Sequence, residues 1–295
     1  MSRLEILKTY KIFIGGAFPR TESGRFYPLL NKDGVILANM CLSSRKDFRN
    51  AVTAARGAQA GWGMRAHFNR SQILYRIAEM LEGRRAQFEQ ELQLQGSTPK
   101  DATTEVNTAI DRLVYYAGWA DKYQQLFSTV NPVASSHFNF SVCEPTGVVS
   151  IVADENTSLL GLVSAIAPII TGGNTVVVLA SETKPLCAVT LAEVINTSDV
   201  PAGVVNILTG KAEELISHMS SHMDVNAIIY CNTNAKHIKL MQENASLNVK
   251  RVVLWNKINW LTAAAENPYM ILDAQEVKTT WHPIENIGGG AKAGY

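Results

Sequence analysis

Five short apolar runs alternating with helix-length segments make this 295-residue chain a doubly wound α/β protein with a mostly parallel sheet. Three features say so. The runs Val148 to Ala153, Thr175 to Leu179, Val204 to Leu208, Ala227 to Tyr230 and Arg251 to Leu254 are rich in β-branched residues and have no polar face, as strands covered on both sides require. Between them lie Leu159 to Ile170, Leu186 to Ile195, Ala212 to Met219 and Ala235 to Asn244, each long enough to cross back over the sheet as a helix. A composition of 46% hydrophobic and 18% charged residues supplies the apolar surface for a large core and excludes general disorder.

The elements before the sheet follow in order. Strand-like pieces, Tyr10 to Ile14 and Val35 to Met40, are separated by Gly15-Gly16 and by the turn signal Lys32-Asp33-Gly34. Ser43 or Ser44 caps a helix whose apolar residues Phe48, Val52 and Ala55 recur every three or four positions, and Gly61-Trp62-Gly63 ends it. A second amphipathic segment sets Ile73, Leu74, Ile77, Ala78 and Leu81 on one face and runs through Phe88 and Leu92 until Gly96 and Pro99 break it. Helical periodicity resumes over Thr103 to Phe127, with Val106, Ile110, Leu113, Val114 and Ala117. Together these segments form an N-terminal helical layer.

Several function classes drop out. Twenty-seven Lys and Arg against 26 Asp and Glu give a net charge of +1 with no basic run, so neither nucleic acid nor an anionic membrane is a predicted partner. Four scattered cysteines, Cys41, Cys143, Cys187 and Cys231, offer no disulfide framework, and the charged start MSRLEILKTYKIF is no secretory signal; a cytoplasmic location follows. Leu159 to Ala180 is 22 residues without a charge, but Pro168 and Thr171-Gly172-Gly173-Asn174 split it into a helix and a strand instead of a membrane span. His218 and His222 share a helix face without a carboxylate partner and read as a solvated helix end, so no metal site is predicted. Asp154 and Glu155 are adjacent, point to different sides and read as a polar loop.

The series Glu144-Pro145-Thr146-Gly147-Val148-Val149, Ala167-Pro168, Gly173-Asn174-Thr175-Val176-Val177, Ser181-Glu182 and Pro201-Ala202-Gly203-Val204-Val205-Asn206 resembles the cofactor-binding half of the aldehyde dehydrogenase superfamily, from about Tyr10 to about Leu254. The resemblance implies a Rossmann-like sheet for nicotinamide cofactor, a catalytic domain with a cysteine nucleophile, and an oligomerisation arm. It further implies thiolate attack on an aldehyde, hydride transfer to NAD(P)+ and thioester hydrolysis. On this reading residues 1–130 are the N-terminal strands and helical layer, 131–147 the arm, 148–259 the Rossmann-like domain, and 260–295 a C-terminal oligomerisation strand with a tail, Gly288 to Gly294, too Gly-rich to order by itself.

Each chemical step implied by the family can be checked against a residue. Asp154-Glu155-Asn156 stands for the family's Pro-Trp-Asn: Asn156 matches the amide that donates to the oxyanion, and equally reads as the cap of the following helix. Leu179-Ala180-Ser181-Glu182 stands for the ribose-binding Lys-Pro-Ser-Glu and keeps Glu182 but not the lysine. Tyr230-Cys231-Asn232-Thr233 stands for a Phe-Thr-Gly-Ser turn at the cofactor phosphates and lacks its glycine. Ser181, Glu182, Asn232 and Thr233 are therefore the remaining cofactor candidates, and the expectation is no cofactor or weak NAD(P) binding. Trp255 replaces the glutamate that acts as general base, and an indole takes no proton. Residues 260–295 contain no cysteine, so the nucleophile motif and its domain of roughly 150 to 200 residues are missing.

Gln275 to Pro283 is similar to the family's C-terminal strand, which crosses to a neighbouring subunit; a competing alignment sets Met270-Ile271-Leu272-Asp273 against the strand that follows the lost glutamate. With the first alignment, the arm residues Phe138, Phe140 and Val142 and the strand residues Val277, Thr279 and Trp281 keep their oligomerisation role. The resemblance then implies a catalytically incomplete subunit, structural or regulatory, that assembles with a full-length NAD(P)-dependent aldehyde dehydrogenase, with itself, or with both. Two alternatives stand beside it: an NAD(P)-dependent oxidoreductase with a remodelled site, and a nucleotide sensor.

Overall fold

The computed structural model describes residues 6–284; the Gly288 to Gly294 tail lies outside them. The chain opens with β1 (Thr9–Tyr10), β2 (Phe26–Leu30) and β3 (Ile36–Cys41), a small sheet of order β1-β3-β2. Strand β2 escapes the sequence reading because Pro28 sits within it. Proline is tolerated there because β2 is an edge strand, where an N–H facing outward is not needed.

Four helices follow: α1 (Arg45–Gly63), α2 (His67–Gly83), α3 (Arg85–Leu94) and α4 (Pro99–Trp119), then a single turn α5 (Tyr123–Phe127). Of the two candidate caps for α1 it is Ser44 that acts, in a reciprocal capping box with Asp47. Pro99 starts α4 where the sequence suggested a break: it occupies the first turn behind the Thr98 cap, where a missing N–H costs nothing. The segment expected to be helical from Thr103 to Phe127 is thus longer at its start and interrupted after Trp119.

The arm, β4 (Thr129–Asn131) and β5 (His137–Pro145), leads into β6 (Val148–Val152), α6 (Leu160–Thr171), β7 (Thr175–Leu179), α7 (Leu186–Asn196), β8 (Val205–Leu208), α8 (Ala212–Ser221), β9 (Ala227–Tyr230), α9 (Ala235–Ser246) and β10 (Arg251–Leu254). These strands form a parallel sheet of order β10-β9-β6-β7-β8, matching the expected fold class. Alternate residues feed opposite cores: Val149, Ile151, Val176 and Val178 pack with α2, α4, α6 and α7, whereas Val148, Val152, Val177 and Leu179 pack with Phe48 and Val52 of α1 and Leu215 and Met219 of α8. Each such side chain, once buried, is worth about 1.5–3 kcal/mol. The uncharged stretch resolves into α6 and β7, and among the described residues no helix is long and apolar enough to cross a membrane.

After β10 the chain does not leave the core. Residues 255–274, including α10 (Tyr269–Leu272), lie across α4 and α6 and bury Trp260, Ala265, Met270 and Ile271. Arg112 of α4, itself buried, ties this strap down: its guanidinium donates to the carbonyls of Trp260 (3.0 Å) and Ala265 and faces Glu266 at 3.6 Å. Tyr115 and Tyr116 donate to Glu266 and Asn267 carbonyls, each at 3.2 Å. The Met270 to Asp273 alignment with a strand is overturned, since this segment is α10. Gln275–Pro283 is a strand, β11, paired antiparallel along all of β5 in its own chain; with β4 it completes a sheet of order β11-β5-β4.

Candidate functional site: a crevice at the switch point of the parallel sheet

In an open parallel sheet, ligands enter where the strand order reverses, outside the carboxyl ends. Here β6 is the first strand of the sheet in sequence, and β7 and β9 lie on either side of it. A crevice of about 620 Å³ opens at that place, walled by Asp154 to Asn156 after β6, Glu182 and Thr183 after β7, Tyr230 to Asn234 after β9, and Asn256 and Ile258 after β10. Asn156, Glu182, Asn232 and Thr233 therefore share one cavity, although they come from three separate loops. Ser181 is buried just behind them. Trp255 is buried too, its indole donating to Asp273 Oδ2 at 2.9 Å and lying edge-on to Trp260; the crevice wall is made by its neighbours.

The loop after β6 is built by Asp154. Its buried carboxylate accepts from the Asn156 amide N–H (3.1 Å), the Asn156 side chain (2.8 Å), the Thr157 N–H (3.0 Å) and the Thr157 hydroxyl (3.1 Å). Asn156 is thereby held by its neighbour and does not cap α6. The cap comes from Glu105 of α4, whose Oε1 accepts from the N–H groups of Ser158 (3.1 Å), Leu159 (2.8 Å) and Leu160 (3.1 Å), a carboxylate placed at the positive end of the helix. The expectation of an Asn156 cap fails because a longer side chain from a packed neighbour reaches three N–H groups at once.

Glu155 turns the other way. Its carboxylate accepts from Ser181 Oγ (2.7 Å), the Glu182 N–H (2.9 Å), the Thr183 N–H (3.2 Å) and Thr183 Oγ1 (2.9 Å), so it fills the loop after β7. Asn232 locks the same corner, accepting from the Glu155 N–H (3.1 Å) and donating to the Ala153 carbonyl (2.8 Å). Thr233 is exposed. The Glu182 carboxyl is raised above the usual range, first by burial and then by Glu155 and Glu214, against the pull of Lys211.

Across the crevice, Asn234 caps α9 by accepting from the Lys236 (3.0 Å) and His237 (3.4 Å) N–H groups. The Tyr230 hydroxyl meets His237 Nδ1 at 2.9 Å, and His237 Nε2 meets Glu213 at 2.8 Å. Burial pushes the Tyr230 phenol up to about 12, which suits a fixed hydrogen-bond donor and not a proton-transfer group. Cys231 is buried in the wall, and burial together with Asp154 raises its thiol far above the range in which a thiolate forms at neutral pH. Burial likewise raises Cys143 and Cys187. His218 and His222 lie at the end of α8, and among the described residues no cluster of His, Cys, Asp and Glu could hold a metal.

The quoted motifs are scaffold. A Cβ on Gly203, whose φ is +89°, would meet the Ala54 carbonyl at 2.5 Å, and one on Gly147 would strike the Asn226 side chain. Asn174 accepts from the Gly147 N–H (2.8 Å) and donates to the Ala274 carbonyl (2.9 Å). Asn206 accepts from the Gly15 N–H (2.9 Å) and donates to the Val176 (3.1 Å) and Gly203 (2.8 Å) carbonyls.

The residues expected to mediate oligomerisation separate into two groups. Register sets Phe138, Phe140 and Val142 opposite His282, Thr280 and Lys278, with Val130 beside Phe140; this is one face of the arm sheet. Val277, Thr279 and Trp281 stand opposite Cys143, Ser141 and Asn139 on the other face, where Asn131 donates to Asn139 (2.6 Å) and Ser141 (2.9 Å) and the Ser141 and Thr279 hydroxyls meet at 2.8 Å.

A five-stranded parallel sheet with its switch-point crevice, packed with a helical layer and joined to a three-stranded arm, is a Rossmann-like α/β fold. The chain belongs to the aldehyde dehydrogenase family, whose sequence profile matches residues 20–278. It is 32% identical over 255 residues to cytosolic 10-formyltetrahydrofolate dehydrogenase of Xenopus laevis, covering 83% of this chain and 28% of that protein. It is 31% identical over 251 residues to the putative aldehyde dehydrogenase DhaS of Bacillus subtilis (strain 168), covering 83% and 50%. The NAD+ complex of an aldehyde dehydrogenase from Bacillus cereus superposes with a TM-score of 0.79 at 25% identity over 84% of this chain and 50% of that one. The chain spans half or less of the length of these relatives.

The crevice fits a dinucleotide poorly. Phosphates seek free N–H groups and cations, yet the N–H groups at α6, after β7 and at α9 already have internal acceptors in Glu105, Glu155 and Asn234. Among the described residues the wall carries the carboxylates of Asp154, Glu155 and Glu182 and no Lys or Arg.

Proposed function

We propose that this chain is a catalytically incomplete aldehyde dehydrogenase-family protein that serves as a structural or regulatory subunit, assembling with a full-length NAD(P)-dependent aldehyde dehydrogenase in the cytoplasm. The observation that carries the reading is the pairing of β11 with β5. The strap of residues 255–274 brings the chain straight back to the arm, so the arm sheet is complete while Trp255 stands where the family's general base would be. The apolar side chains of Val130, Phe138, Phe140 and Val142 stay together on its outer face, and Phe138 is 45% and Val130 67% exposed. Apolar surface gathered on a sheet face is suited to association. The reading asks for no cofactor, or only weak NAD(P) binding.

Native mass spectrometry of the tagged chain purified from its source tests this. A full-length aldehyde dehydrogenase co-purifying in fixed ratio is the expected result. Recovery of the chain alone, or only self-associated, sinks the hetero-oligomer.

A further inference from the structure

We propose that Glu155 is an internal plug: its carboxylate occupies the donor groups of Ser181, Glu182 and Thr183 and closes the crevice to an adenine dinucleotide. The contact goes beyond what a turn requires. Glu155 follows β6 and its four donors follow β7, so the carboxylate bridges two loops and not its own. Asn232, from a third loop, accepts from the Glu155 N–H and holds the backbone in place. The loop so filled carries Glu182, the acidic residue at the end of the second strand of a βαβ unit, a position that receives the hydroxyls of a ribose.

The plug acts twice. A carboxylate saturated by two N–H and two O–H donors leaves none of them for a ligand, and its charge lies beside Glu182 in a wall already negative, where a phosphate is repelled. The Glu182 carboxyl, raised partly by Glu155, reports that proximity. The donors of Ser181, Glu182 and Thr183 sit together in one loop, so removal of one side chain should free all of them at once. A ligand whose site is closed by an internal group binds with an affinity reduced by the fraction of molecules that are open.

The test is NADH titration of the full chain by calorimetry and by NADH fluorescence, comparing wild type with Glu155→Ala and Glu155→Gln. Hydrogen exchange at the Glu182 and Thr183 amides is followed without ligand. Wild type should show no saturation at about 1 mM NADH. Glu155→Ala should bind at least about tenfold more tightly, as expected when a site open in a tenth or fewer of the molecules is freed. Glu155→Gln, whose amide nitrogen cannot accept, should fall between, and both variants should exchange the two amides faster. If Glu155→Ala fails to fold, the glutamine variant carries the comparison. Equal NADH affinity in wild type and variants, whether saturating or undetectable, overturns the proposal, as does unchanged exchange at the two amides.

Discussion

The crevice and the arm sheet treat their exposed chemistry in opposite ways. Around the crevice, the N–H groups of the loops and helix starts already have acceptors from the same chain: Glu105 on α6, Glu155 on the loop after β7, Asn234 on α9. On the arm, the polar side chains Asn131, Asn139, Ser141 and Thr279 bond to one another along one face, while Val130 and Phe138 on one side and Val277 and Trp281 on the other leave apolar surface exposed. An unpaired polar group is costly to hide, and an exposed apolar face is costly to leave in water. The crevice is self-sufficient; the arm is the region that stands to gain from a second molecule.

That contrast is easiest to break from the crevice side, because its back wall is the strap. Trp260→Ala removes a buried indole from the core between α4, α6 and the strap. A loss of about 3–5 kcal/mol in urea denaturation is expected; a change under 1 kcal/mol would mean that the strap is not part of the folded core. Next in size is Glu105→Ala. It orphans three N–H groups at the start of α6 and should cost about 1–2 kcal/mol, with faster hydrogen exchange confined to residues 158–160. If exchange there is unchanged, another acceptor does the capping.

These two sites also mark how far the sequence could be read. The five strands of the parallel sheet were legible because residues such as Val176, Val177 and Val178 are buried on both faces and leave no polar alternation to misread. Family membership was legible because the motifs holding Gly147, Asn174, Gly203 and Asn206 keep their order, the glycines standing where a Cβ would clash and the asparagines bonding to backbone. The wiring of the crevice was not. Glu105 lies 53 residues before the N–H of Ser158, and Glu155 lies 26 residues before Ser181; which carboxylate reaches which loop depends on helix packing and rotamer, not on any local pattern. Strand β2 was hidden by Pro28, and the helical start at Pro99 by the same residue type used in the opposite sense.

A smaller effect is expected from Lys250, whose ammonium is buried at the end of α8 and donates to the His222 carbonyl at 2.8 Å. Burial lowers it from 10.5 to about 8. The unfolded chain therefore binds this proton more readily than the folded one between those values. Stability from this group is complete above pH 10.5 and falls as pH drops toward 8. In Lys250→Met that dependence disappears, so the stability of wild type relative to the variant should rise from pH 8 to pH 10 in parallel denaturant titrations. A flat difference would place the ammonium in water. The tyrosines and cysteines raised by burial titrate in both proteins and cancel.

The smallest change in folding should come from the arm, and that is what makes it informative. Phe138→Ser with Phe140→Ser alters the outer face of β5 without touching the polar seam behind it or the register with β11. Since Phe138 is substantially exposed and Phe140 partly so, the folding free energy of the isolated chain should change by no more than about 1 kcal/mol. Association should be lost, because the substitutions remove the apolar surface that a partner would bury. Sedimentation and co-purification read that loss against unchanged circular dichroism. If the double variant still assembles, the apolar face is not the interface, and the opposite face with Val277 and Trp281 takes its place. If instead the isolated chain unfolds, the face supports the monomer itself, and the difference between a closed crevice and an open arm no longer holds.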